Sequence, residues 1–205
     1  RSAIEKAGFS PGEDVSISLD IAATDFGRDG RYRLAREDRE LSSEELSEML
    51  LDWLGRYPIV AIEDPLGEDD DVGMTAFTAR AGNQVEVVGD DFVTTNAARI
   101  TEAASIGACN TALIKPNQIG TLTEARAALD AARAAGWESI VSARSGETED
   151  VTIVHLAIGW GIKQLKVGSF TRSERMVKWN EGLRLADQLS SGGRLPPRSD
   201  FPWGR

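Results

Sequence analysis

An α/β fold built on a parallel sheet is what this sequence predicts, and within that class a (β/α)8 barrel rather than an open, doubly wound sheet. Three observations predict it. One unit repeats along the 205 residues: a short β-type run, a polar or glycine-rich loop, then an amphipathic helical stretch. Strands that alternate with helices make a parallel sheet with the helices outside. A charged residue also stands at or near the end of each run: Asp20, Glu63, Asp90, Lys115, Arg144 and Lys166. In an open sheet, ligand groups gather at a switch point between two strands. In a barrel every strand delivers a residue to a common mouth, and successive strands that all aim charge one way fit the barrel.

The elements follow in order. The opening, "RSAIEKAGFSPGED", reads as the end of a helix and a loop, so the sequence is expected to begin inside a larger protein. The β-type runs are "DVSISLDI" (14–21), "PIVAIED" (58–64), "VEVVGDD" (85–91), "NTALIK" (110–115), "ESIVSAR" (138–144) and "IKQLKVG" (162–168). After the first run, Asp29-Gly30 is a good turn pair, and Tyr32 and Leu34 alternate with polar residues, which reads as a small hairpin. Ser42 with Glu45 and Thr121 with Glu124 fit capping boxes, where a hydroxyl and a carboxylate satisfy orphan backbone amides. In "TLTEARAALDAARAAG" residues Leu122, Ala125, Leu129 and Ala132 share one face, and Gly136 sits where a left-handed cap belongs. The chain is expected to form one barrel domain over 1–190, then an extended, Gly/Pro-rich tail over 191–205.

A formal charge of −10 argues against a nucleic-acid binder, which shows a basic stripe, and against docking on anionic lipid. It is compatible with a site that concentrates divalent cations. The one cysteine, Cys109, can form no internal disulfide and no Cys/His zinc cluster, so a reducing, cytoplasmic setting is expected, with Cys109 a small core hydrophobe. No apolar run reaches membrane-spanning length and no signal peptide opens the sequence, so no membrane partner is expected. His155, in "TIVHLAIG", reads as a partly buried structural histidine. Trp53, Trp137, Trp160 and Trp179 read as packing residues, and Glu68–Asp71 as a solvated loop.

Asp20, Glu63 and Asp90 are acids from successive runs. Crowded carboxylates repel one another unless something positive lies between them. Oxygen-only ligands select a hard divalent cation, with Mg²⁺ favoured over zinc. One such acid alone would be a helix cap; three in register favour the metal. Lys115 and Lys166 aim at the same mouth, where a lysine crowded by cations can act as a general base; salt bridges to the acids are the simpler alternative. In "SARSGETED", Arg144 and the Ser145 hydroxyl beside Gly146 suit a phosphate clamp. An ordinary cap and a surface arginine are the alternative there.

The segments "SLDIAATDF", "PIVAIEDPLGEDD", "VVGDDFVTTN", "LIKPNQIGTLTE", "SARSGETED" and "KVGSFTRSER" together resemble the C-terminal TIM-type barrel of the enolase (phosphopyruvate hydratase) family, from about Pro11 to about Leu189. "KPNQIGTLTE" and "RSGETED" are the most specific. The resemblance implies about six βα units, strands 3 to 8 of the barrel. The N-terminal capping domain and first two strands would lie outside this sequence, in a protein about twice as long. It implies Mg²⁺-dependent dehydration of 2-phosphoglycerate to phosphoenolpyruvate by a carbon–oxygen lyase, and a homo-oligomer. Position by position, Asp20, Glu63 and Asp90 match the Mg²⁺ ligands, Glu63 and Asp90 also facing substrate. Lys115 matches the base that takes the C2 proton, and Lys166 the lysine on the substrate carboxylate. Arg144 and Ser145 match the phosphate-binding pair, with Ser142 beside them. Two positions depart from the family pattern. Ser142-Ala143-Arg144-Ser145 stands where the family has Ser-His-Arg-Ser, and Ile21 stands where it has proline after the first ligand. Ala143 keeps open a related lyase acting on a phosphonate-bearing or other carboxylate substrate, of the carboxyphosphonoenolpyruvate synthase type. A non-catalytic enolase-like protein is a third reading, against which the retained acids and lysines argue.

Overall fold

The computed structural model describes residues 1–189 and 193–204. In chain order the elements are α1 (Ser2–Lys6), β1 (Ile17–Asp20), β2 (Gly27–Arg28), β3 (Arg31–Leu34), β4 (Arg39–Ser42), α2 (Ser43–Arg56), β5 (Ile59–Glu63), α3 (Asp71–Ala81), β6 (Glu86–Gly89), α4 (Ala97–Ile106), β7 (Thr111–Ile114), α5 (Pro116–Ile119), α6 (Leu122–Ala134), β8 (Glu138–Ser142), α7 (Thr152–Gly159), β9 (Gln164–Lys166) and α8 (Ser173–Gln188). Each predicted run contains a strand of one parallel sheet, in the order β1-β5-β6-β7-β8-β9.

That sheet curls into a partial barrel, and one side chain shows it. β1 and β9 occupy opposite edges. With neighbouring strands about 4.8 Å apart, a flat sheet would separate them by roughly 24 Å. Yet Lys166 Nζ on β9 lies 3.1 Å from Asp20 Oδ2 on β1. Only curvature closes that gap.

Side chains alternate across a strand, so residues two apart share a face. The concave face therefore has layers. Glu86 and Gln164 lie at its lower end, where Gln164 Nε2 donates to Glu86 Oε1 at 2.7 Å. Ala61, Val88, Leu113 and Ile140 form an apolar middle layer. Two residues further along each chain come Glu63, Asp90, Lys115 and Ser142. The convex face carries Ile62, Val87, Ala112 and Ile114, packed beneath Leu46, Leu50, Met74, Phe77 and Ile100 of the helices.

Local chemistry sets the helix starts. Ser42 caps α2 in a complete capping box: its hydroxyl accepts the Glu45 N–H at 3.2 Å and Glu45 Oε2 accepts the Ser42 N–H at 2.8 Å. Thr121 forms half of the expected box on α6. It accepts the Glu124 N–H, but the Glu124 carboxylate turns to the Thr121 hydroxyl rather than to its backbone. The buried face of α6 is Ala125, Ala128, Leu129 and Ala132; Leu122, expected there, is 52% exposed because it sits in the first turn, beyond the sheet's cover. Gly136 is left-handed, as expected.

Three further readings are corrected. The hairpin at Asp29-Gly30 exists, with both residues at positive φ as a tight turn demands, but β4 extends it to a three-stranded meander. His155 is exposed on α7, its Nε2 3.0 Å from Glu181 Oε1, because the helix turns its apolar face elsewhere. Among its described residues the tail lacks regular structure over 193–197. It then forms short 3₁₀ turns at Arg198–Asp200 and Pro202–Gly204, with Phe201 buried and Asp200 paired to Lys163. Within the acidic run, Asp70 is held: it caps α3 and accepts hydrogen bonds from Tyr32 and Ser43. Cys109 is buried in the core.

Glu86 generates a pH prediction. Burial lifts its carboxyl from 4.5 to about 7, partly offset by the Gln164 hydrogen bond, and its Oε2 has no partner. The folded state thus binds a proton that the unfolded state releases. Stability is full below pH about 4.5, falls as pH rises toward about 7, and is flat above, a loss on the order of 3 kcal/mol. Glu86→Gln is neutral in both states, so urea denaturation should find it more stable than the parent at pH 8 and nearly equal at pH 5.

Candidate active site

The exits of β1, β5 and β6 are tied to one another through Asp64. The Asp64 backbone N–H donates to Val88 O at 2.9 Å and its carbonyl accepts the Ala23 N–H at 3.2 Å. Its buried carboxylate takes the backbone N–H of Asp90 at 2.9 Å and of Asp91 at 2.7 Å. Glu63 and Asp90, on either side of this clasp, are fixed by it. The loop after Glu63 is pinned by fully buried Tyr32, whose hydroxyl accepts the Gly67 N–H and donates to Asp70, each at 2.8 Å.

β7 delivers Lys115 by a similar device. Buried Thr95 accepts the Lys115 N–H at 2.9 Å and donates to Gln118 Oε1 at 2.9 Å. The Lys115 ammonium reaches Asp90 Oδ2 at 2.5 Å, with both side chains about nine-tenths buried. Lys166 crosses the mouth to Glu63, at 2.7 and 2.8 Å from its two oxygens, and to Asp20. Burial pushes the Glu63 carboxyl up to about 8, although the Lys166 charge opposes the rise. Burial works to lower Lys166, but Glu63 and Asp20 outweigh it and hold the amine above its ordinary value. The ammonium therefore stays charged.

Arg144 leaves β8 with its backbone N–H on Glu147 Oε1 at 2.8 Å and its guanidinium on Asn117 Oδ1 at 3.1 Å. Asp20, Asp90, Lys115 and Lys166 line one cavity of about 370 Å³ together with the whole 142–145 segment. Glu63 sits just behind, bonded to Lys166. The structure thus brings together all the site residues expected from the sequence.

Comparison with known proteins bears on the family. The family described as "Enolase, C-terminal TIM barrel domain" matches residues 1–199. The chain belongs to the enolase C-terminal barrel family. It is 47% identical to "Enolase 1" of Desulfitobacterium hafniense (strain Y51) over 200 residues, which is 97% of this chain and 46% of that protein. It therefore spans about half the length of the curated relative it matches.

In this enolase barrel, the donor set suits a hard cation. Asp90 Oδ1 is buried without a hydrogen-bond partner, an oxygen left for a positive ligand. Lys115 and Lys166 stand against the carboxyl groups of Asp20, Glu63 and Asp90, an all-oxygen donor set of the kind a hard cation selects. The carboxylates whose oxygens approach within 4.8 Å of one another, among the described residues, are instead Asp64, Asp90 and Asp91. Both oxygens of Asp64 are spent on backbone amides, so we read that trio as a clasp, and Asp20, Glu63 and Asp90 as the residues that could hold a cation.

Asp64, Thr95 and the anchoring role of Tyr32 were not foreseen from the sequence. Asp64 was visible beside Glu63 in "IEDP", but nothing local shows that its partners lie on another strand. Asp64→Ala should leave the buried Asp90 amide and the half-buried Asp91 amide without acceptors and destabilise the fold by about 2–4 kcal/mol, measurable as a lower urea midpoint.

Proposed function

We propose that the full-length protein dehydrates 2-phosphoglycerate to phosphoenolpyruvate with Mg²⁺. The observation that carries this is the convergence of Lys115, Lys166, Asp20 and Asp90 on one cavity that also holds Arg144 and Ser145, with Glu63 just behind and bonded to Lys166, the five drawn from the ends of five strands.

The chemistry needs such a site. A proton α to a carboxylate is very weakly acidic, since its loss leaves two negative charges on one carboxylate group. Mg²⁺, when bound by Asp20, Glu63 and Asp90, supplies electrostatic stabilisation of that charge. Lys166, held charged by Glu63 and Asp20, adds a donor for the substrate carboxylate. In its neutral amine form Lys115 accepts the C2 proton on Nζ and becomes the ammonium, and Asp90 orients that nitrogen. Arg144 and Ser145, with Ser142 beside them, bind the phosphate and fix the substrate so that C2 faces Lys115. Hydroxide then leaves from C3. The same reading makes the protein a cytoplasmic homo-oligomer, supported by the relationship to Enolase 1 and by a single unpaired cysteine.

A second reading rests on Ala143, which lines the cavity with no polar group beyond its backbone. It favours a related phosphonate-bearing or carboxylate substrate on the same proton-abstraction machinery.

With Mg²⁺ and 2-phosphoglycerate the full-length protein should form an enol product visible in the ultraviolet. Lys115→Ala should slow exchange of the C2 proton with solvent by about 10²–10⁴-fold while calorimetry still detects Mg²⁺ binding; unchanged exchange removes Lys115 from the base role. Ala143→His separates the readings. A large gain on 2-phosphoglycerate favours the second, and no gain favours the first.

A further inference from the structure

We propose that Arg175 is a positioning residue of the anion pocket, its guanidinium fixing the spacing between the Arg144-Ser145 segment and the end of the strand that carries Lys166. This deepens the proposed function and rests on it.

Arg175 lies in the first turn of α8, its side chain only 6% exposed and part of the cavity wall. Nη1 donates to Val167 O at 2.9 Å and Nη2 to Ser145 O at 3.1 Å. Val167 follows Lys166; Ser145 follows Arg144. One planar, pre-organised fork thus spans the exits of β8 and β9. A lysine there could hold one of the two carbonyls through a flexible stem, and an apolar side chain neither.

Two further observations set Arg175 apart from an ordinary buried arginine. Its Nε is buried with no hydrogen-bond partner, and the acid nearest to it, Glu174, stands at 3.9 Å. An unmatched cationic donor is costly unless something negative comes to it, and this one borders a cavity already lined by Arg144, Lys166 and Arg172. Gly168, at φ +110°, packs against the guanidinium: a Cβ there would lie 3.4 Å from Nε in a backbone conformation that side chains rarely adopt. The glycine therefore lets the β9 exit lie flat on the fork. One turn further along α8, fully buried Lys178 grips the other end of the same loop, donating to Thr148 O at 2.8 Å and pairing with Glu147 at 2.6 Å. Residues three apart share a helix face, so α8 presents two buried cations to the phosphate loop, and only Arg175 also borders the cavity.

The test compares Arg175→Met and Arg175→Lys with the parent, all as full-length protein. Three quantities are measured: KM and kcat for 2-phosphoglycerate, calorimetric affinity for inorganic phosphate, and melting temperature. Arg175→Met should raise KM and weaken phosphate binding by about tenfold or more, with a smaller fall in kcat, and Arg175→Lys should lie between. A lower melting temperature with KM and phosphate affinity unchanged would show a merely structural role and overturn the proposal. If the parent does not turn over 2-phosphoglycerate, the reaction assignment fails, and the phosphate titration still decides. Weaker binding in the variants supports the positioning role; equal binding, or none by the parent, overturns it. Should Arg175→Met not fold, Arg175→Lys carries the same comparison.

Discussion

The ion bridge from Lys166 to Glu63 and Asp20 is the contact on which the rest of the architecture turns. It joins β9 to β5 and β1 across the open mouth of a sheet whose edges do not pair, so its length reports the curvature directly. It also makes an otherwise untenable burial tolerable. The Glu63 side chain is 5% exposed, and an unpaired carboxylate at that depth costs several kcal/mol. Even with the ammonium in place, burial dominates and the Glu63 carboxyl sits high, at about 8. A concentrated positive charge in this mouth would relieve that penalty, which is the electrostatic reason to expect a divalent cation beside the lysine rather than the lysine alone.

The second constraint is the two-residue period of a strand. It answers how an apolar core can end in a ring of charges without being disturbed by them. Leu113 and Lys115 point the same way from one chain, yet one lies in the dry middle layer and the other meets Asp90 at the rim. The same alternation sends Ile114, between them, outward to the helices. A register slip of one residue would exchange these faces throughout, so packing of the apolar layers fixes the placement of the charged one.

What was legible in the sequence follows from this. Strand positions, and the candidate residues at their ends, could be read because apolar runs and their terminal charges are local patterns, and because the motifs recur in a known family. Asp20, Glu63 and Asp90 are separated by long stretches of chain, but each is marked by its own strand end. Supporting residues carry no such mark. Thr95 looks like any loop threonine, and Arg175 and Lys178 sit in "SERMVKWNE", a helix whose charges suggest solvent. Their burial arises only when α8 docks behind the 142–150 loop. Local reading also failed at helix surfaces: Leu122 and His155 satisfy the helical period, but whether that face meets the sheet depends on where the helix starts relative to its neighbours.

Backbone strain shows how the mouth is kept rigid. Ala22, Asp64, Thr94, Thr95 and Arg172 all have positive φ, and all lie in loops that follow strands of the barrel. Each such residue costs about 1–3 kcal/mol, least tolerable for the β-branched threonines. Hydrogen bonds from buried side chains to backbone hold two of these turns in place: the Asp64 carboxylate binds the amides of Asp90 and Asp91, and the Thr95 hydroxyl binds the amide of Lys115. The side chains of the candidate site thus stand on backbone that other residues secure. A residue at the rim can then change without loosening the frame, because the frame does not run through it. Ala143 illustrates this: its backbone N–H bonds Lys166 O at 2.8 Å whatever side chain it bears. The side chain at that position is free to change while the arrangement of Lys115, Asp90 and Lys166 is kept.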